Sequence, residues 1–160
     1  MEQVMSEIII DRIFLKESNI ETPDSPAVFD KLVQENGEVS TDFSCNSSYG
    51  EHIINGIDVH EVNLTINIAA TNRKSTGPNT ADYLHLYILN FVYAGMFRLN
   101  DFKNETEKEE ALAIDCPHII FPYVRQYVSS LTGLTDLPAT LLQEINFKKL
   151  YYKSIGKEYK

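Results

Sequence analysis

Tryptophan is absent from the 160 residues, and cysteine occurs only twice, at Cys45 and Cys116. Two thiols cannot build a disulfide framework, and neither stands in a paired zinc-ligand spacing. Basic side chains are scarce: 14 Lys and Arg stand against 23 Asp and Glu, a net charge of -9. That balance argues against a phosphate-backbone binder, which needs clustered cations, and suits a basic protein partner. No stretch approaches the ~18 apolar residues of a membrane-spanning helix. The opening MEQVMSEIIIDR has no basic region ahead of its short apolar run, which predicts no signal peptide. Together these absences predict a reducing, cytoplasmic setting, with no nucleic acid among the partners and no direct membrane insertion. The sequons at Asn46, Asn63 and Asn104 are then read as chance. A glycine-rich phosphate loop, a Walker lysine and a nucleophile elbow are missing too, which predicts a protein that is not an enzyme and carries no cofactor.

What is present is aromatic and patterned. Nine Tyr and eight Phe exceed what one small core needs. The charge is uneven: residues 148–160 hold five lysines against Glu158, leaving the rest with nine basic and 22 acidic side chains. The length predicts a single domain over 1–160, with flexible ends at 1–7 and 156–160.

The first two-thirds reads as strands. SEIIIDRIFLKESNIE puts Ile9, Asp11, Ile13 and Leu15 on one face and Ile8, Ile10, Arg12 and Phe14 on the other. TPDSPAVFDKLVQENGE, with Pro23, Pro26 and Gly37, reads as a long crossing loop. In EVSTDFSCNSS, Val39, Thr41, Phe43 and Cys45 alternate with polar residues. Val62, Leu64, Ile66 and Ile68 alternate in the same way, and the opposite parity of Ile57 and Val59 predicts a bulge or strand start near His60. ADYLHLYILNFVYAGMF predicts a long strand ended or bent at Ala94-Gly95. Tyr83, His85, Tyr87, Leu89, Phe91 and Tyr93 form one of its faces; Leu84, Leu86, Ile88, Asn90 and Val92 form the other. Both faces are apolar, so both are expected to meet something.

Residues 100–110 read as a charged connection. From Pro122 the period changes: Val124, Tyr127, Val128 and Leu131 make a helical stripe, with Gly133 as its stop. A last helix is expected over NFKKLYYKSI, with Asn146 as N-cap and Phe147, Leu150 and Tyr151 on one side. The predicted class is α+β, an antiparallel sheet of four strands followed by two C-terminal helices.

Cys116-Pro117-His118 is the apparent reactive site. Nucleophilic catalysis needs a base held against the thiol and a third group to orient it. Neither spacing nor neighbours supply that set, so a buried structural thiol is the better reading. A metal pair would need His52, His60 or His85 from the strands, which the sequence does not support. His60-Glu61 begins like H-E-x-x-H, but Leu64 stands where the second His belongs.

The stretch CPHIIFPYVRQYV resembles the C-P-x-x-L-F-P-Y-A-R opening of the long helix in SecB protein-export chaperones. DRIFLKESNIETPDSPAVF is similar to that family's first strand and crossing loop, YAGMF to its G-G-I-F strand end, and INFKKLYYK to its final helix. The likeness runs in order over residues 8–155. It implies the family's four-stranded sheet with two helices, a homotetramer built as a dimer of dimers, and a bacterial, ATP-independent holdase. Such a holdase binds unfolded preproteins and passes them to the motor SecA. By the same resemblance Cys116, Pro117, Phe121, Pro122, Tyr123 and Arg125 are architecture at the start of the long helix.

Glu17 and Glu21 match acidic positions of the family's SecA-facing surface, and Ile88 and Asn90 match its hydrophobic-then-acidic pair, with Asn90 lacking the charge. Leu89, Phe91 and Tyr93 match the opposite, client or subunit-interface face. Departures include longer-looking loops at Tyr49–Gly56 and Arg73–Thr80, Glu144-Ile145 in place of a proline before the Asn-Phe pair, and the basic tail. They motivate an alternative: a SecB-like interaction module dedicated to one partner, such as a toxin–antitoxin chaperone.

Overall fold

The computed structural model describes residues 5–34, 37–73 and 84–159. Four long strands, β1 (Glu7–Glu21), β2 (Glu38–Ile54), β3 (Ile57–Arg73) and β4 (Leu84–Asn100), form one antiparallel sheet in the order β1-β4-β3-β2. The helices are α1 (Ala27–Gln34), α2 (Glu105–Glu110), α3 (Cys116–Thr132) and α4 (Phe147–Ser154). The architecture is α+β, as the alternating strands and the two C-terminal periodic stretches predict. Backbone contacts group the chain into two compact units: 1–16, 47–64 and 93–160 in the first, 17–46 and 65–92 in the second.

The first unit holds the tip of the β2–β3 hairpin. Its turn is only Asn55-Gly56, with φ of 53° and 77°. Asn and Gly tolerate this left-handed backbone, and such a turn matches the twist of the strands it joins. Tyr49–Ile54 is therefore strand rather than loop, a correction to the sequence reading; the apolar run Ile53, Ile54, Ile57 hid the turn. Residues 74–80 of the second expected loop, and Tyr83, lie outside the described residues.

Two expected strand breaks are absent. β3 needs no restart near His60: His60 is buried with Val62 and Leu64 in one register, and Val59 is buried on the other face. β4 continues through Ala94-Gly95 to Asn100. Gly95 is there for closeness, since a Cβ would stand 2.5 Å from the Phe97 ring and 3.2 Å from Ile120 of α3.

The charged connection contains α2. Asn104 Oδ1 accepts from the Glu107 N–H at 2.9 Å, and Glu107 Oε2 accepts from the Lys103 N–H at 3.2 Å. A π-helical stretch, Ala111–Asp115, joins α2 to α3, so the long helix opens at Cys116, as the resemblance implies, and not at Pro122 where the period changes. The Cys116 N–H bonds Ala111 O, an i to i−5 bond. Pro117 cannot donate and would crowd the carbonyl four residues back, and the widened turn before it relieves that conflict. Thr132 ends α3; Gly133 keeps right-handed helical angles, and the left-handed residue is Asp136, φ 61°.

Buried Thr132 then ties down the segment beyond α3. Its Oγ1 donates to Val128 O at 2.7 Å and accepts from the Thr140 N–H at 2.9 Å. Asn146 caps α4 as predicted, its Oδ1 accepting from the Lys149 N–H at 2.9 Å.

The second unit corrects the crossing loop. After Pro23 and Pro26 the chain forms the two turns of α1, which bury Val28 completely. Asp24 Oδ2 accepts from the His85 N–H at 2.7 Å and fastens the segment to the start of β4. The inner face of this unit is apolar: Ile66, Ile68 and Ala70 of β3 and Tyr87, Leu89 and Phe91 of β4 are buried.

Candidate functional site

Alternation along β4 separates the two sets of candidate side chains. Ile88 and Asn90 project from one side of the strand and are half-buried. In the second unit Asn90 joins Glu17 and Asn19 of β1 and Thr65 and Asn67 of β3 around an open hollow of about 380 Å³. Asn19 Nδ2 donates to Glu21 Oε1 at 2.9 Å, and Asn67 Nδ2 donates to Ser44 Oγ at 3.3 Å. Polar β-strand residues on a solvated sheet face build this surface, which is why every second side chain is hydrophilic. Glu17, Glu21 and Asn90 are thus brought onto one polar surface.

Leu89 and Phe91 point to the opposite side and are buried, Phe91 at 2% exposure. In the first unit Tyr93 of the same strand face meets α3, its ring 6.3 Å from Tyr123 and 6.1 Å from Tyr127. Tyr123 remains nearly half exposed. These rings form an aromatic patch against the helix rather than an enclosed pocket.

The Cys116-Pro117-His118 triplet does not assemble a reactive centre. Burial pushes the Cys116 thiol up to about 12, helped by the neighbouring Asp115 carboxylate. His118 lies exposed, edge-on to Phe147 with ring centroids 5.7 Å apart, and Phe121 meets the same Phe147 ring at 5.8 Å. Arg125 pairs with Glu144 at 3.0 Å. So Glu144, standing where the SecB pattern has proline, gives the long helix a charged partner. Burial also raises the Cys45 thiol, to about 11. No group of three or more His, Cys, Asp or Glu among the described residues is arranged to hold a metal ion.

A further set was not singled out by sequence reading. On the first unit Glu61 of β3 is held by Lys16 of β1, and His52 Nε2 lies 3.2 Å from Glu61 Oε2. The Lys16 hydrogen bond keeps the Glu61 carboxyl below its usual range. Asp11 and Arg98 form a second ion pair, with Nε 3.0 and 3.1 Å from the two carboxylate oxygens. An apolar hollow of about 660 Å³ opens beside that pair. Arg12 and Phe14 share one face of the first strand, but nothing in the sequence joins them to the β3 and β4 residues that complete the hollow.

Edge strand β2 is the most open element. Of its 17 residues only Ser40 and Cys45 are even half-buried; Val39, Phe43, Tyr49, Ile53 and Ile54 are all exposed. No helix among the described residues is long and apolar enough to cross a membrane.

Comparison with known proteins agrees with this architecture. The family profile described as preprotein translocase subunit SecB matches residues 1–158. The protein-export protein SecB of Chromobacterium violaceum is 30% identical over 142 residues, covering 89% of this chain and 83% of the relative. Among solved structures, a Mycobacterium tuberculosis SecB-like chaperone in complex with a ChAD peptide from the HigA1 antitoxin superposes with a TM-score of 0.63 at 20% identity. That match covers 86% of this chain and 90% of the other. The fold is shared with that structure, and the match across nearly the whole sequence places the chain in the SecB family of chaperones.

Proposed function

We propose that the protein is an ATP-independent holdase of the bacterial cytoplasm that binds unfolded preproteins and delivers them to SecA, working as a dimer of dimers. The open strand β2 carries this reading: among the described residues it stands at the sheet edge with nearly every side chain exposed, Val39 and Phe43 in the second unit and Tyr49 and Ile53 in the first. Unfolded chains present unpaired backbone and apolar side chains, and an edge strand satisfies both without demanding a particular sequence. Burial at about 25 cal/mol per Å² lets a long contact hold many clients. Tyr93, on the other side of β4 from Asn90, belongs to the subunit or client face; Leu89 and Phe91, expected there by resemblance, are already buried by the chain itself.

The polar surface bearing Glu17, Glu21, Ile88 and Asn90 is assigned to SecA. Carboxylates there suit a basic partner, and their contribution is screened by salt. The test is a titration without nucleotide, using one polypeptide in a permanently unfolded and in a folded form, followed by SecA. The unfolded form alone is expected to bind. Glu17→Lys with Glu21→Lys is expected to weaken SecA binding about 10-fold at low salt and to leave client binding unchanged. A protein that ignores the unfolded chain refutes the holdase, and SecA binding that survives the reversal refutes the docking surface.

A second reading, a chaperone dedicated to one partner such as an antitoxin, has two supports. Asn90 lacks the charge of the SecA-facing pattern, and the superposed mycobacterial chaperone holds an antitoxin peptide. Capture of one stoichiometric partner with no affinity for generic unfolded chains favours it.

A further inference from the structure

We propose that residues 147–159 form a surface anchor for a bilayer rich in anionic lipid, lying on the headgroups without entering the hydrocarbon. The segment belongs wholly to the first unit. α4 turns Phe147 inward, where it is buried, and Tyr151, one turn on, is half-buried. Lys149 and Lys153, also one turn apart, fall on the opposite side and are exposed. Leu150 and Tyr152 flank them, Leu150 nearly half exposed.

After α4 the chain reverses instead of trailing away. The Lys157 N–H donates to Tyr152 O at 2.9 Å, and the Gly156 N–H to Lys153 O at 3.2 Å. That pattern requires left-handed backbone at residue 156, and Gly156 supplies it with a φ of 71°. The reversal lays the Tyr159 ring on Tyr152, with centroids 6.2 Å apart. Exposed Ile155, Lys157 and Tyr159 are thereby held at the end of the helix.

Charge selects the partner. Lys149, Lys153 and Lys157 have no ion-pair partner among the described residues. Lys148 is left out of the set, because it lies near enough to Asp115 to favour that carboxylate. Burial, and after it the carboxylates of Glu109 and Glu110, raise the Tyr151 phenol, so those acids lie on the inner side of α4. More distant acids of this chain, whose net charge is -9, are screened beyond about 8 Å at physiological ionic strength. All the cations of the segment are lysine, with no arginine. Lysine is a compact point charge on a flexible stem and suits the diffuse field of anionic headgroups, whereas a carboxylate peptide is better gripped by a guanidinium fork. Leu150, Ile155 and Tyr159 settle at headgroup level, where tyrosine is favoured. Single-stranded nucleic acid is matched less well: it needs a succession of free ring faces, and here two neighbouring rings face each other.

This surface shares no residue with the one assigned to SecA or with β2. Failure of one reading therefore leaves the others standing.

The test is flotation of the full chain with vesicles of neutral phosphatidylcholine and with vesicles in which a third of the lipid is phosphatidylglycerol. Binding is expected only to the anionic vesicles, and to fall as salt is added. Each lysine near an anionic surface contributes about fivefold, so Lys149→Gln, Lys153→Gln and Lys157→Gln together are expected to weaken binding about 100-fold. The thermal midpoint should not change, because all three side chains are exposed. Arginine at the same three positions is expected to keep the binding. Equal flotation with both kinds of vesicle overturns the proposal, and so does undiminished flotation of the glutamine variant. Release of the protein by free glycerol phosphate, at the concentration of the lipid headgroups, overturns it in favour of a simple anion site. A uridine oligonucleotide that binds the segment more tightly than the anionic vesicles overturns it in favour of nucleic acid.

Discussion

At Cys116 the side chain and the backbone have different tasks. The amide reaches Ala111 O and closes the widened turn that admits Pro117. The thiol sits fully buried, and its ionisation is deferred to about 12. A thiol starting from 9.0 and raised in the fold keeps its proton where the unfolded chain has lost it. Between those two values the unfolded chain binds fewer protons, so stability falls as pH rises, by at most ~1.4 kcal/mol per pH unit for one group. Below 9 the group contributes no such slope. Urea unfolding from pH 8 to 10.5 is expected to show a shallower decline for Cys116→Ala than for the unaltered chain. The native Cys116 thiol should also resist a thiol reagent at pH 8 and react once urea unfolds it. Equal slopes would mean that this thiol titrates alike in both states.

Among the elements, the strands were the most legible. Val62, Leu64, Ile66 and Ile68 alternate because one face of β3 is buried, and a period of two survives in any sequence that obeys this. Asn146 announced α4 because a cap needs one side-chain oxygen in one place. Asn146→Ala is expected to cost about 1 kcal/mol in urea unfolding, and Asn146→Asp, which restores the oxygen, to recover most of it. Other elements were hidden for physical reasons. The α1 helix has eight residues, too few for a helical period to stand out between Pro23, Pro26 and Gly37. Residues 105–110 looked like a solvated link because α2 buries no residue of its own and is held by its cap. The hollow beside Arg12 was not legible, since Phe14, Ile57, Val59 and Met96 come from three strands and meet only in the sheet. The polar surface was half legible: the resemblance supplied Glu17 and Asn90, while their shared cavity with Thr65 and Asn67 is a matter of strand order.

For the molecule as a whole, the number of large apolar side chains left in water is the governing fact. Leu134 is 82% exposed, Leu141 77% and Ile53 76%, and Val33 and Tyr123 add to them. Single exposed leucines are ordinary, but this many on one 18.3 kDa chain is more surface than a solitary protein keeps uncovered. Association is the expected outcome, with net charge -9 preventing it from growing without limit. Sedimentation equilibrium over a hundredfold range of concentration should give a discrete species of four chains, with dimers on dilution. A single monomeric species throughout would contradict the assembly.

The strand order also sets a schedule. β2, β3 and β4 follow one another along the chain and lie side by side, so each finds its partner soon after it leaves the ribosome. β1 does not: among the described strands its neighbour is β4, and 62 residues separate Glu21 from Leu84. At about 5–20 residues per second, β1 waits roughly 3–12 s, with Ile8 and Ile9 bare, for the strand that will partly cover it. A protein proposed to shield unfinished chains thus begins its own life as one.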